Sequence, residues 1–154
     1  MLRSEQAQAT VLVVDDDTTV CQVLEELLRS AGFTVATADT GARLPDLVRQ
    51  QQPHVVLLDQ LMQPVSGLEA LQALRASGQD VPVIMLTALG GDDLVRTALE
   101  TGADDYVTKP FSNAVLVAHI RAALRRQRWQ AREREASRPR SLDPRPAYRT
   151  RAAE

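Results

Sequence analysis

Lys109 is the only lysine of the chain, and it closes the last of four short apolar runs that each end in polar side chains capable of chemistry. Val11–Val14 runs into Asp15, Asp16 and Asp17; Val55–Leu58 into Asp59; Val81–Leu86 into Thr87; and Tyr106–Thr108 into Lys109 and Pro110. Two adjacent carboxylates facing a third repel one another unless a cation lies between them. An oxygen-only set of this kind suits Mg2+, which takes one or two carboxylates, keeps several waters and accepts phosphate oxygens. A carboxylate beside such an ion is a competent nucleophile toward phosphorus. Lys109 offers a point charge to an incoming phosphoryl group. Thr87 offers a hydroxyl donor, and the small Ala88 leaves room beside it. These are the parts that phosphoryl transfer requires.

The residues meet only if the runs are strands of one sheet. Apolar runs of four to six residues, rich in Val, Leu and Ile and separated by helical stretches, read as buried parallel strands. A helix is expected over 18–31, with Val20, Val23, Leu24, Leu27, Leu28 and Ala31 on its apolar face and Gly32 as its stop. Strand two is Thr34–Ala38. The next helix, about 41–51, contains Pro45, which fits a start near Leu44 with the proline in the first turn. Ser66 and Glu69 form a capping-box signal for the third helix. Gly90 and Gly91 lead into a helix over 92–101 closed by Gly102, and a short strand, Asp105–Thr108, precedes a final helix from Ser112. Five βα units imply an α/β fold: a five-stranded parallel sheet with helices on both faces. The order 2-1-3-4-5 of flavodoxin-like folds would bring Asp15 and Asp16 beside Asp59, although the alternation itself does not fix that order.

Composition bounds the rest. A chain of 154 residues holds one domain with a substantial core, and with five aromatics that core must be aliphatic. No apolar stretch approaches the ~20 residues that span a bilayer. The N-terminus lacks the apolar segment of a secretory signal. The single cysteine, Cys21, lies on an apolar helix face and fits a buried thiol in a reducing compartment. The expectation is a soluble, cytoplasmic protein with no membrane partner. Charge is divided unevenly: residues 1–124 carry 8 basic and 16 acidic side chains, whereas residues 125–154 carry 10 arginines and 4 acids.

Asp15–Asp16 after strand one, Asp59 after strand three, Thr87–Ala88 after strand four and the stretch GADDYVTKPF at 102–111 make residues 9–126 resemble a CheY-like receiver domain of a two-component response regulator. The resemblance implies that Asp59 accepts a phosphoryl group from a sensor histidine kinase, a phosphotransfer protein or a small acyl phosphate. It implies that Asp16, Asp59 and the backbone carbonyl of Leu61 hold Mg2+, with Asp15 acting mostly through water. Lys109 and Thr87 would hold phosphoryl oxygens, with Lys109–Pro110 a cis peptide, and Thr87 and Tyr106 would form a switch pair. Residues 1–8 are then a flexible N-terminus, and 127–154 an Arg-rich helix extension and disordered tail.

Some positions depart from the family pattern. Receivers usually carry proline four residues after the acceptor; here Gln63 stands there and the proline is Pro64. Apolar Leu61 occupies a position that tunes acyl-phosphate hydrolysis, which implies slow self-dephosphorylation. The motifs most resemble receivers of the winged-helix transcription-factor branch, which form homodimers through the fourth helix, fifth strand and fifth helix. Asp104, Asp105 and Arg121 match that surface, whereas Val95, Val115 and His119 stand where charged partners are usual. No winged helix follows, so output is expected through a downstream protein target.

Other readings attach to the same residues. VLVVDDDTT also resembles the opening of haloacid-dehalogenase-type phosphatases, with Asp15 as nucleophile, Asp17 as acid/base, Thr87 as second motif and Lys109 as phosphate clamp. That reading leaves Asp59 without a role. A receiver-fold binding module that is never phosphorylated is the third. Asp17 alone reads equally well as a helix cap, and His54 and His119 read as surface residues. The arginines of the tail are interrupted by Glu133 and Glu135 and are not confined to one helical face, so nucleic acid is not an expected partner.

Overall fold

The computed structural model describes residues 9–88 and 91–137. The stretches 1–8 and 138–154, where a flexible N-terminus and a disordered tail are expected, lie outside the described residues, as do Leu89 and Gly90. Five strands, β1 (Thr10–Val14), β2 (Thr34–Ala38), β3 (Val55–Asp59), β4 (Val83–Thr87) and β5 (Asp105–Thr108), alternate with five helices. These are α1 (Thr18–Ser30), α2 (Leu44–Gln51), α3 (Gly67–Ala76), α4 (Asp92–Thr101) and α5 (Asn113–Ser137). All strand pairs are parallel, in the order β2-β1-β3-β4-β5.

Strand side chains alternate between two cores, as the pleat requires. Val11, Val13, Val55, Leu57, Ile84 and Leu86 face the side covered by α1 and α5. Leu12, Val14, Val56, Leu58, Val83 and Met85 face the side covered by α2, α3 and α4. Because β1, β3 and β4 are buried on both faces, their sequences are continuous apolar runs rather than alternating ones.

The helices begin and end where local chemistry directs. Asp17 caps α1, its Oδ1 accepting from the N–H groups of Thr19 at 2.9 Å and Val20 at 3.3 Å. Gly32, at φ +98°, provides the turn after it. The buried stripe of α1 is Cys21, Leu24 and Leu28, with Val20, Leu27 and Ala31 partly buried beside it. Val23, expected on that face, is 57% exposed, so the stripe is narrower than the sequence pattern suggests, while Cys21 is buried on it. Pro45 lies in the first turn of α2. Ser66 caps α3 by accepting from Glu69 N–H at 3.2 Å, and its hydroxyl meets Glu69 Oε1 at 3.3 Å, so the return half of the box runs between side chains.

At the opposite edge of the sheet, the half-buried Arg75 of α3 joins three segments. It donates to Gly102 O, Gln79 O and Val81 O and pairs with Asp104 Oδ2 at 3.1 Å. Asp104 also accepts from Val83 N–H at 2.8 Å, fixing the entry of β4 beside that of β5.

Candidate functional site

Parallel register sets the functional residues at one edge. Val14 pairs with Leu58, Asp59 with Leu86 and Thr87 with Thr108, so the residues following these strands converge at their carboxyl ends. Lys109 is anchored through its backbone, donating N–H to Thr87 O at 2.8 Å, and precedes a cis peptide to Pro110. Its Nζ lies 3.1 Å from Asp59 Oδ1 and 3.5 Å from Asp15 Oδ2. Asp15, Asp16 and Asp59 each bring a carboxylate oxygen within 4.8 Å of the others.

The electrostatics follow from burial. The side chains of Asp15 and Asp59 are 5% and 8% exposed, that of Lys109 28%, so two largely buried carboxylates share one half-buried ammonium. Burial raises the pKa of Asp59 above its ordinary value, the neighbouring Asp15 and Asp16 raise it further, and the bond and charge of Lys109 pull it down. Asp15 Oδ1 accepts from Asp17 N–H at 2.9 Å, whereas its Oδ2 is buried with no hydrogen bond. A buried carboxylate oxygen with no hydrogen bond and only a 3.5 Å ion pair to Lys109, inside a cluster of three carboxylates, fits a hard divalent cation.

Thr87 is fully buried and Ala88 exposed at the end of β4. Tyr106 is half-buried against the α2/α3/α4-side core. Leu61, two residues past Asp59, is 56% exposed.

Two residues shape this edge that the sequence motifs do not single out, Gly67 and Gln60. Gly67 packs so closely that a Cβ there would lie 2.3 Å from Asp59 O and 2.9 Å from Gln60 Cα. Gln60 folds the loop, its backbone O accepting from Gly67 N–H at 3.0 Å and its Oε1 from Leu68 N–H at 2.9 Å. Gln63 donates its N–H to Asp16 Oδ2, and Arg75 sets the far ends of β4 and β5. A glycine opening a helix, eight residues after a strand-end aspartate, is the signal that marks Gly67.

The profile of the response regulator receiver domain family matches residues 11–121. The chain belongs to the response regulator receiver family. It is 46% identical over 121 residues to the probable transcriptional regulator ycf27 of Guillardia theta, covering 79% of this chain and 47% of that protein. It is 44% identical over 123 residues to the transcriptional regulatory protein CpxR of Escherichia coli K12, covering 80% of this chain and 52% of that one. The chain thus spans about half the length of the curated relatives it matches. Among solved structures, the receiver domain of the Francisella response regulator 1452 matches with a TM-score of 0.73 at 30% identity, covering 77% of this chain and 98% of that one. The BeF3-activated receiver domain of Klebsiella pneumoniae RstA matches with a TM-score of 0.71 at 31% identity, covering 75% and 98%.

As a receiver, the chain is a phosphoacceptor switch domain rather than a conventional enzyme, of a family that binds Mg2+ at an acidic cluster. The phosphatase reading has no support in these relationships, and its acid/base, Asp17, is occupied as the cap of α1. Two acids of the expected dimer surface are engaged within the chain: Asp104 with Arg75, and Asp105 with Nδ1 of His119. His119 is thus a tethered residue on the β5–α5 surface, while His54 accepts from Thr10 N–H at 2.9 Å at the entry of β3. Among the described residues, no helix is long and apolar enough to cross a membrane.

Proposed function

We propose that this receiver takes a phosphoryl group on Asp59 from the phosphohistidine of a sensor histidine kinase, from a phosphotransfer protein or from a small acyl phosphate. The observation that carries the reading is the placement of Lys109 Nζ, 3.1 Å from one oxygen of Asp59 and 3.5 Å from Asp15. An Asp59 oxygen attacks phosphorus, and the bond to the donor nitrogen or oxygen breaks with its electron pair leaving on the donor. Lys109 then exchanges part of its carboxylate pairing for a phosphoryl oxygen, and the Thr87 hydroxyl donates to another. Ala88 keeps the approach to Asp59 open. Asp15, Asp16 and Asp59, with the Leu61 carbonyl, would hold Mg2+. That ion, when bound, neutralises charge on the transferring group.

The phosphoryl group adds up to two negative charges beside the half-buried ammonium of Lys109. It biases an existing two-state equilibrium in which Thr87 moves toward it and the Tyr106 ring packs inward behind. The readout is the surface of α4, β5 and α5, acting on a downstream protein target in the cytoplasm or through a homodimer across that surface. Exposed, apolar Leu61 cannot orient an attacking water, so the receiver loses its phosphoryl group slowly. Incubating the chain with a phosphorylated histidine kinase tests the reading: label passes to wild type and not to Asp59→Ala. Equal labelling of both would overturn it.

A further inference from the structure

Helix α5 has two faces with different surroundings. Leu116, Ile120, Ala123 and Leu124 are buried against the sheet, and further along the same side Arg134 reaches back to Asp80 at 2.9 Å. The opposite side carries Val115, Ala118, Ala122, Trp129 and Ala136, all exposed except the half-buried Ala122. Their separations of three, four, seven and seven residues are those of a coiled-coil seam, with Val115, Ala122, Trp129 and Ala136 at one core position and Ala118, Arg125 and Arg132 at the other. Trp129, the only tryptophan, is 67% exposed at the middle of the projecting half of this seam.

The charges on the seam select its occupant. Two parallel copies would set Arg125 against Arg125 and Arg132 against Arg132, like charge on like. Two antiparallel copies, centred between Gln130 and Ala131, set each of these arginines against an apolar residue instead. Arg132 then lies against Trp129 of the second copy, where a guanidinium stacks on an indole face. Arg125 lies against Ala136. At the flanking positions Arg126 meets Glu133, and two-fold symmetry makes every one of these contacts twice. Glu133, one of the two glutamates that interrupt the arginine run, is therefore placed where self-complementarity needs it.

We propose that the outward face of α5 over residues 125–137 binds the same face of a second copy of this chain, with the two helices antiparallel. The overlap is about 20 Å of helix, and so short a helix pair associates weakly by itself. The surface is distinct from the α4, β5 and α5 surface of the signalling reading, because it lies on the extension of α5 and uses Trp129 rather than β5. Single-stranded nucleic acid also uses arginine and an aromatic platform, but it gives Glu133 no partner.

Sedimentation velocity of the 154-residue chain over a wide concentration range tests the proposal, with Trp129 emission as a second readout. A reversible dimer is expected, with emission shifting to the blue as it forms. R126E and E133R should each weaken it by about tenfold or more, since attraction turns to repulsion at two symmetric sites. The double variant R126E/E133R should restore it, and W129A should abolish the association. A monomer at every concentration would overturn the proposal, as would a dimer indifferent to these substitutions. A monomer whose Trp129 emission responds to oligonucleotide, more strongly in E133R, would overturn it in favour of nucleic acid.

Discussion

Gln63 donates its backbone N–H to Asp16 Oδ2 at 3.3 Å, tying the loop after Asp59 to the acidic pair after β1. This is where the chain departs from the usual receiver sequence, with the proline one residue late and the Gln63–Pro64 peptide cis. The bond is long for an amide donor and Asp16 is exposed, so it is a weak restraint on that carboxylate. A cation drawing Asp16 toward Asp59 competes with it. Asp16→Asn keeps an acceptor for Gln63 and removes the charge. Its Mg2+ affinity should fall roughly tenfold in calorimetric titration, through the lost ligand charge. Its metal-free stability in urea should hold or rise, because a repulsion is gone. An unchanged Mg2+ affinity would remove Asp16 from the metal site.

The raised pKa of Asp59 makes stability depend on pH with a definite sign. Burial, with Asp15 and Asp16, disfavours the charged form more than Lys109 favours it, so the folded state holds the proton more tightly than the unfolded chain. Ionised Asp59 therefore costs stability above its folded pKa. That cost is relieved as pH falls through the folded value toward the ordinary carboxylate range. In metal-free buffer Asp59→Asn should melt higher than wild type at neutral pH, with the gap closing as the solution is acidified. A constant gap, or a less stable Asp59→Asn, would contradict the electrostatic account.

Gly67 leaves no room for a side chain beside the backbone of Asp59 and Gln60. Gly67→Ala must push β3 and α3 apart or tilt the strand end, and backbone atoms do not yield as a flexible side chain does. Overpacking of this kind costs about 1–3 kcal/mol. Phosphoryl acceptance should fall far more than that stability loss implies, since the displaced group carries Asp59. Chemical denaturation and the labelling rate, measured on the same preparation, separate the two effects.

Leu61 presents an exposed apolar side chain beside the acceptor loop. Leu61→Asn introduces an amide able to hold an attacking water. The phosphorylated form should lose its phosphoryl group several times faster than wild type, followed by phosphate-release kinetics in Mg2+ buffer. Equal lifetimes would show that water is positioned from elsewhere.

Much of this was legible in the chain itself. The continuous apolar runs of β1, β3 and β4 announce strands buried on both faces, and the polar residues ending them share an edge because parallel strands share a direction. Val23 was not legible, because an apolar residue at helical spacing reads the same whether its face meets the sheet or its shoulder meets solvent. Gln60 was equally silent, since its bonds to Gly67 and Leu68 close a loop that no side-chain pattern records. The ties of Asp104 to Arg75 and of Asp105 to His119 join residues 29 and 14 apart, contacts that only the folded sheet creates.

The central claim is that Asp59 is the nucleophile of this edge. It is tested most directly by intact-mass analysis and peptide mapping after incubation with acetyl phosphate, with and without Mg2+, on wild type and Asp59→Ala. The account predicts one hydroxylamine-labile phosphoryl group on Asp59, absent without the metal and absent in the variant. Labelling at Asp15, or no labelling of wild type under donor and metal, would contradict it.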